Sequence, residues 1–147
     1  MESYRNILCA IDFSPSSEAA VDRAAVIARD TGAQLTLLHV VEYFPVDRSN
    51  EQIAPEDTDP EQYRMSRAHE GLADQARRLG EIEAVQEVVV SEHSAKHEIV
   101  RFAKERQMDL IVVASHGRHG ISALLGSTAT GVLHTASCDV LAVRAVI

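Results

Sequence analysis

The chain has 147 residues, 46% of them hydrophobic, which is typical of one globular domain with its own core. The formal net charge is −8 without a compensating basic cluster, which argues against nucleic-acid binding and against docking on an anionic membrane. No apolar run is long enough to span a membrane and residues 1–5 are polar, so we expect a cytoplasmic protein with no membrane insertion. Cys9 and Cys138 lie far apart and form neither a CxxC pair nor a metal knuckle.

The first third of the chain predicts a strand, a helix and a second strand in close succession. The apolar run 6–12 is typical of a strand that is covered on both faces of a parallel sheet. Ser14-Pro15 marks a helix start, and we expect this helix to end near Gly32. The run 34–41 then predicts a second strand, and this succession with short joins indicates a right-handed crossover in a parallel sheet.

The alternation continues after an irregular acidic stretch. Residues 42–60 are rich in Pro, Asp, Glu and Asn and predict one long loop. The elements expected after it are a helix ending at Gly80, a strand over 85–90, a helix to about Gln107, a strand over 109–114, a helix with the stripe Ala129, Val132, Leu133 and Ala136, and a strand over 140–143. The sequence therefore predicts a single α/β domain over residues 1–147, without a linker or an internal repeat.

Two places in this pattern could hold a ligand, because open parallel sheets bind ligands beyond the carboxyl ends of strands where the strand order reverses. The first is the end of strand one, at residues 10–12. The second is the segment 114–128, in which Gly117 and Gly120 allow close approach of a ligand and Gly126 opens a helix whose N–H groups favour an anion. Ordinary turn and capping chemistry would use the same residues. Neither a phosphate-loop lysine motif nor a GxGxxG after the first strand is present.

Several stretches resemble the universal stress protein family. They are residues 7–14, 38–40, 109–117, 125–128 and 138–144, which follow the family's order over essentially the whole chain. The resemblance implies an α/β fold that is Rossmann-like and adenine nucleotide alpha hydrolase-like, with five parallel strands in the order 3-2-1-4-5 and helices on both faces. It also implies a homodimer that pairs the last strands of two subunits. The apolar edge strand 140–143 favours a dimer independently, because an unpaired edge is a liability.

Family members with the full glycine pattern bind ATP, and the resemblance carries that pattern onto Ala114, Gly117 and Gly126-Ser127. Two departures appear: Ala114 stands where the pattern has glycine, and the eight residues between Gly117 and Gly126 are one fewer than in the pattern. An added methyl group could crowd the ligand, and a shorter loop must follow a different path. The implied cofactor is ATP or AMP, with or without Mg²⁺.

The resemblance also implies a role for each residue of the site. Asp12 would lie near the ribose, the Val40 backbone would meet the adenine edge, and the glycine-rich segment would surround the phosphates. The implied binding residues are Ala10, Ile11, Asp12, Val40, Ala114, His116, Gly117, Arg118, Gly126, Ser127 and Thr128. From the residues alone, Asp12 could equally cap the first helix and Val40 could simply pack in the core.

Other constellations are weaker. Asp12, Ser115 and His116 could gather at one sheet edge, but no GxSxG elbow supports a hydrolase triad. His93 and His97 stand four apart near Glu92 and Glu98, a spacing that permits a metal, although a solvated helix start is the favoured interpretation. His116 and His119 could touch phosphate or titrate near neutral pH.

Three functions therefore remain open. The first is an adenine nucleotide-binding regulatory protein of the stress response, with unknown protein partners and no catalytic residues. The second is a dimeric stress protein that has lost nucleotide binding and acts through protein contacts, as the two departures from the glycine pattern suggest. The third is a slow ATPase, which lacks an obvious general base or lysine, although Arg118 could lie near phosphates.

Overall fold

Strands and helices alternate along the described parts of the chain, which are residues 2–42, 59–116 and 125–145 of a computed structural model. The strands are β1 (Asn6–Ala10), β2 (Gln34–Glu42), β3 (Ala84–Ser91), β4 (Leu110–Ala114) and β5 (Asp139–Val143). The helices are α1 (Pro15–Thr31), α2 (Pro60–Arg78), α3 (Ala95–Glu105) and α4 (Ser127–Thr135). The five strands form one parallel sheet in the order β3-β2-β1-β4-β5, which confirms the predicted fold class and strand order.

The helices cover both faces of the sheet, which explains why the strands are apolar on both sides. Ile7 and Cys9 of β1 face a core cluster that includes residues of α1 and α2. Leu8, between them, faces a second cluster that includes residues of α3 and α4. Because side chains alternate along a strand, a sheet buried on both faces needs apolar residues at every position.

Several element boundaries differ from the sequence prediction. β1 ends at Ala10 and not at residue 12, because the chain turns there toward α1. β2 continues to Glu42, since β3 pairs with it as far as Ser91. In α4 the predicted stripe is only partly buried, since Leu133 is 43% exposed. The loop predicted over 42–60 is shorter at both ends, since Glu42 belongs to β2 and Pro60 begins α2, and residues 43–58 of it lie outside the described residues.

The strand order places a crossover switch at the middle of the sheet. From β1 the chain winds outward through β2 and β3 on one side, and it then returns to form β4 and β5 on the other side. The connections that leave the carboxyl ends of β1 and β4 therefore lead to helices on opposite faces of the sheet, and this is the position where open α/β sheets bind ligands. No helix in the described ranges is long and apolar enough to cross a bilayer.

Candidate ligand-binding site

A cleft of about 1100 Å³ opens at the carboxyl ends of β1, β2 and β4, between α2 and the start of α4. This volume is slightly above the range typical of small-molecule sites. Most of the predicted binding residues line it: Ala10, Ile11, Asp12, Val40, Ala114, His116, Gly126, Ser127 and Thr128. The two others, Gly117 and Arg118, lie outside the described residues. The cleft therefore brings together the two places that the sequence indicated.

The turn from β1 to α1 fixes Asp12 at the mouth of the cleft. Asp12 Oδ1 accepts a hydrogen bond from the Ser14 N–H at 2.9 Å, and Ser14 Oγ in turn accepts from the Ser17 N–H at 3.2 Å. Ser14 is thus the N-cap of α1, and the Asp12 carboxylate stabilises the preceding turn by accepting from the Ser14 N–H. The alternative view of Asp12 as the capping residue was therefore wrong in detail, although its carboxylate does stabilise the turn.

The end of β2 forms the second wall. The Ile11 N–H donates to the Leu38 carbonyl at 2.8 Å, so the backbone polar groups of Leu38 point toward β1. Val40 lies two residues further along and directs its N–H and C=O to the same side, at a level where β1 has already ended. Its side chain packs in the core with Ile99 and Val113, so a ligand would meet the Val40 backbone.

The start of α4 forms the third wall and presents uncapped backbone N–H groups. Its N-cap is Gly126, which has no side chain to accept a hydrogen bond. By contrast, Ser14 caps α1, Asp59 caps α2 and the Glu42 carboxylate accepts from the Ala95 N–H at the start of α3. Within the described ranges, α4 is thus the helix whose first turn receives no side-chain acceptor, and such a turn favours an anion.

Two polar atoms beside this wall also lack partners. Ser115 Oγ and His116 Nδ1 are buried without a hydrogen bond among the described residues. Ser115 is only 3% exposed, while its N–H donates to the Val143 carbonyl at 2.8 Å and its carbonyl accepts from the Gly126 N–H at 2.6 Å. Buried polar atoms are normally satisfied, so unpaired ones at a cleft are consistent with a place for a ligand or water.

The same atoms show that a hydrolase triad is not assembled. Within residues 2–42, 59–116 and 125–145, neither Ser115 Oγ nor His116 Nδ1 makes a hydrogen bond, and Asp12 Oδ1 is engaged with the Ser14 N–H. A nucleophilic serine needs a base on its hydroxyl and an acid that orients the base. The geometry therefore gives no support to nucleophilic catalysis by these residues.

The histidine pair that follows β3 gathers no further metal ligands among the residues that the structure describes. The rings of His93 and His97 lie 4.9 Å apart at 45°. Glu98, which could have joined them, is buried and accepts from Ser91 Oγ at 2.8 Å, with Arg101 at 3.5 Å. No group of three or more ligating side chains occurs in the described part of the chain. A solvated helix start is the interpretation that fits.

The cleft carries charges of both signs. Its described lining includes Arg64 and Arg67 of α2 together with four carboxylates, on Asp12, Glu42, Glu70 and Asp74. One of the arginines is partly engaged, since Arg64 Nη1 donates to the Glu42 carbonyl at 3.1 Å. An anionic ligand would therefore depend on backbone N–H groups more than on formal positive charge.

Sequence reasoning missed a further group of lining residues. Phe13, His39 and Gly71 all line the cleft, and so do six other residues of α2. A glycine inside a helical pattern was the available signal at position 71, because such a glycine usually has a packing reason. Nothing in the residue pattern indicated that α2 would fold over the carboxyl edge of the sheet.

The chain matches the universal stress protein family over residues 3–144. It is 39% identical over 140 residues to universal stress protein A homolog 1 of Coxiella burnetii (strain RSA 493 / Nine Mile phase I), which covers 95% of this chain and 96% of that protein. Universal stress protein UspA from Lactobacillus plantarum has a similar structure, with a TM-score of 0.78, 25% identity and coverage of 98% and 100% of the two chains. A universal stress protein in complex with cAMP gives a TM-score of 0.69 at 28% identity, covering 97% and 98%. The chain is a member of the universal stress protein family.

Proposed function

We propose that this protein binds an adenine nucleotide in the cleft and acts as a nucleotide-dependent regulator of the stress response. One observation carries the proposal: the uncapped first turn of α4 lies at the crossover switch, in a cleft large enough for a nucleotide. Family membership and the similar structure in complex with cAMP support it. We propose no catalytic residues, since the described lining holds no assembled nucleophile and base.

The phosphates would lie at the start of α4. The N–H groups of Ser127, Thr128 and Ala129 are the first-turn donors, and the hydroxyl groups of Ser127 and Thr128 are exposed beside them. His116 would add its Nδ1, which has no hydrogen-bond partner in the described part of the chain, as a further donor. These groups supply several hydrogen bonds to phosphate oxygens without any lysine, as helix N-termini commonly do.

The nucleoside would lie against the ends of β1 and β2. The Val40 N–H and C=O form a neighbouring donor and acceptor, which matches the N1 acceptor and N6 amino donor of adenine. Guanine presents the opposite pattern at these two atoms, so the same backbone would disfavour it. Asp12, which accepts from the Ser14 N–H and lines the cleft, would accept a hydrogen bond from a ribose hydroxyl.

The alanine at position 114 is compatible with this ligand. Ala114 belongs to β4, pairs with Val143 and packs against the core cluster around Ile7 and Cys9. Because the Ala114 methyl group packs against the core, it would occupy less of the ligand's space than the replacement of glycine by alanine suggested. A Mg²⁺ ion would arrive with the phosphates of ATP, since Mg²⁺ usually keeps substrate phosphates and waters as ligands.

A regulatory role requires that the site communicate with a contact surface. Ser115 links the start of α4 to the end of β5 by hydrogen bonds. Its carbonyl accepts from the Gly126 N–H, and its N–H donates to the Val143 carbonyl. β5 is an edge strand of the sheet. We propose that a homodimer pairs along this edge and that the bound nucleotide alters dimerisation or contacts with protein partners in the cytoplasm.

Calorimetric titration of the nucleotide-stripped protein tests the proposal. We expect saturable binding of ATP with Mg²⁺, AMP or cAMP and much weaker binding of GTP, because the Val40 backbone pairs with adenine. Thermal unfolding is measured in parallel, and the melting temperature should rise with each ligand that binds. No heat and no thermal shift at millimolar concentrations of any adenine nucleotide would refute nucleotide binding and leave a dimeric protein that acts through protein contacts.

A further inference from the structure

Phe13 has an unusual backbone conformation at the cleft. Its φ is 63°, in the left-handed region that bulky residues rarely adopt. The hydrogen bonds of Asp12 and Ser14 on either side hold the turn in this shape. Non-glycine residues in this region concentrate at functional sites, where surrounding contacts over-determine them. The Phe13 side chain is half-buried: it packs against the core cluster shared by α1 and α2 and also lines the cleft.

The Phe13 ring rests on a fixed partner from β2. Its centroid lies 4.5 Å from the centroid of the His39 ring, with the two planes tilted by 38°. The imidazole is itself fixed, because His39 Nδ1 lies 2.6 Å from the Ile11 carbonyl oxygen. A carbonyl only accepts, so Nδ1 donates and carries the proton. The two rings therefore form an aromatic wall, defined by Phe13 and His39, at the ends of β1 and β2.

A glycine on α2 makes room for this wall. A Cβ added to Gly71 would lie 2.5 Å from Phe13 Cε1, which is closer than real atoms approach. Glycine in a helix interior is destabilising relative to alanine, so its presence here needs a packing reason. The Phe13 ring supplies that reason. Any larger residue at position 71 would push the ring away from α2 and toward the cleft.

We propose that Phe13 is a ligand-binding residue whose ring packs against the base of the bound nucleotide, and that Gly71 positions this ring. The proposal rests on the nucleotide binding proposed above. A base whose edge meets the Val40 backbone lies next to His39, and thus beside the aromatic wall. Aromatic rings stack on the face of every base, so Phe13 would supply affinity for a planar base while the Val40 backbone selects adenine.

The test compares calorimetric dissociation constants for ATP among variants whose folding is checked by thermal unfolding. We expect Phe13→Leu to weaken ATP binding about tenfold, as loss of base stacking typically does, and Phe13→Tyr to retain wild-type affinity. Gly71→Ala should weaken binding by a similar factor by displacing the ring. Since both changes act through one ring, the double variant should bind no more weakly than Phe13→Leu alone.

Matched controls exist outside the cleft. Phe102→Leu removes a buried phenyl ring from α3, and Gly131→Ala adds a methyl group inside α4, where it meets the flexible Lys96 side chain. Both should leave ATP affinity within about twofold of wild type.

Three outcomes would overturn the inference. ATP affinity within twofold of wild type for Phe13→Leu, or for Gly71→Ala if the first variant does not fold, removes the role of the ring. Multiplicative losses in the double variant would show that Gly71 does not act through Phe13. Absence of nucleotide binding by the wild-type protein would instead refute the proposed function and this inference together.

Discussion

Replacement of Gly126 by aspartate would place a carboxylate at the N-cap of α4, where the nucleotide phosphates are proposed to bind. Gly126 has φ −66° and ψ 162°, the extended conformation that an N-cap aspartate adopts without strain. Its carboxylate would accept from first-turn N–H groups and repel phosphate. We therefore expect Gly126→Asp to fold at least as stably as wild type while its affinity for ATP falls.

The size of each effect follows from the position. An N-cap aspartate stabilises a helix by only a few tenths of a kcal/mol relative to glycine. A carboxylate and a phosphate charge about 5 Å apart repel by about 3 kcal/mol at an effective dielectric constant of about 20. Ser127 and Thr128 are exposed, so water and salt screen this repulsion to about 1–2 kcal/mol. The expected loss of ATP affinity is thus about tenfold.

Calorimetry and thermal unfolding in parallel separate the two effects. Gly126→Asn is the matched control, because its amide oxygen caps the same N–H groups without a charge and should cost less affinity. The reasoning would be refuted if Gly126→Asp bound ATP as tightly as wild type while its melting temperature rose. That result would mean that the helix had been capped and that no phosphate had been displaced.

Three other predictions concern the surroundings of the cleft. Ala114→Gly should lower the free energy of unfolding by about 1 kcal/mol and change ATP affinity less than twofold, and a large gain in affinity would show that the methyl group crowds the ligand. Glu42→Ala should cost about 1 kcal/mol in denaturant unfolding because the Ala95 N–H loses its acceptor, whereas an unchanged midpoint would mean that the contact does not cap α3. Burial raises the pKa of the Cys9 thiol from 9.0 to about 12, so the unfolded thiol ionises first. Stability should be unaffected by this group below pH 9 and fall by up to about 4 kcal/mol toward pH 12, and Cys9→Ala should flatten that decline in pH-dependent unfolding curves.

The sequence predicted the fold well because local signals and tertiary packing agree. β4 has an uninterrupted apolar sequence, and the structure buries it between β1 and β5 in a sheet that is covered on both faces. Ser14 and Pro15 predict the start of α1, and in the structure Ser14 is its N-cap. The strand order, in contrast, came from the family resemblance, since spacing alone does not tell which side of β1 receives β4.

The site was predicted in part, for a physical reason. The residues that follow β1 and β4 could be assigned to one edge, because parallel strands end on the same side. Contacts between distant segments could not be assigned: the fit of Gly71 against Phe13 and the capping of α3 by Glu42 both depend on how α2 and β2 are placed in space. Leu133 belongs to the predicted stripe but is exposed, because a helical stripe alone does not reveal how wide the buried face is.

The most direct test of nucleotide binding in this cleft is a titration of the ¹⁵N-labelled protein with ATP and Mg²⁺, followed by amide chemical shifts. We predict saturable shifts that are largest at the amides of Val40, Ser127 and Thr128, with smaller changes along β5 through Ser115. Saturable shifts confined to residues outside the cleft, such as the C-terminal end of α3, or no shifts at millimolar ATP, would contradict it.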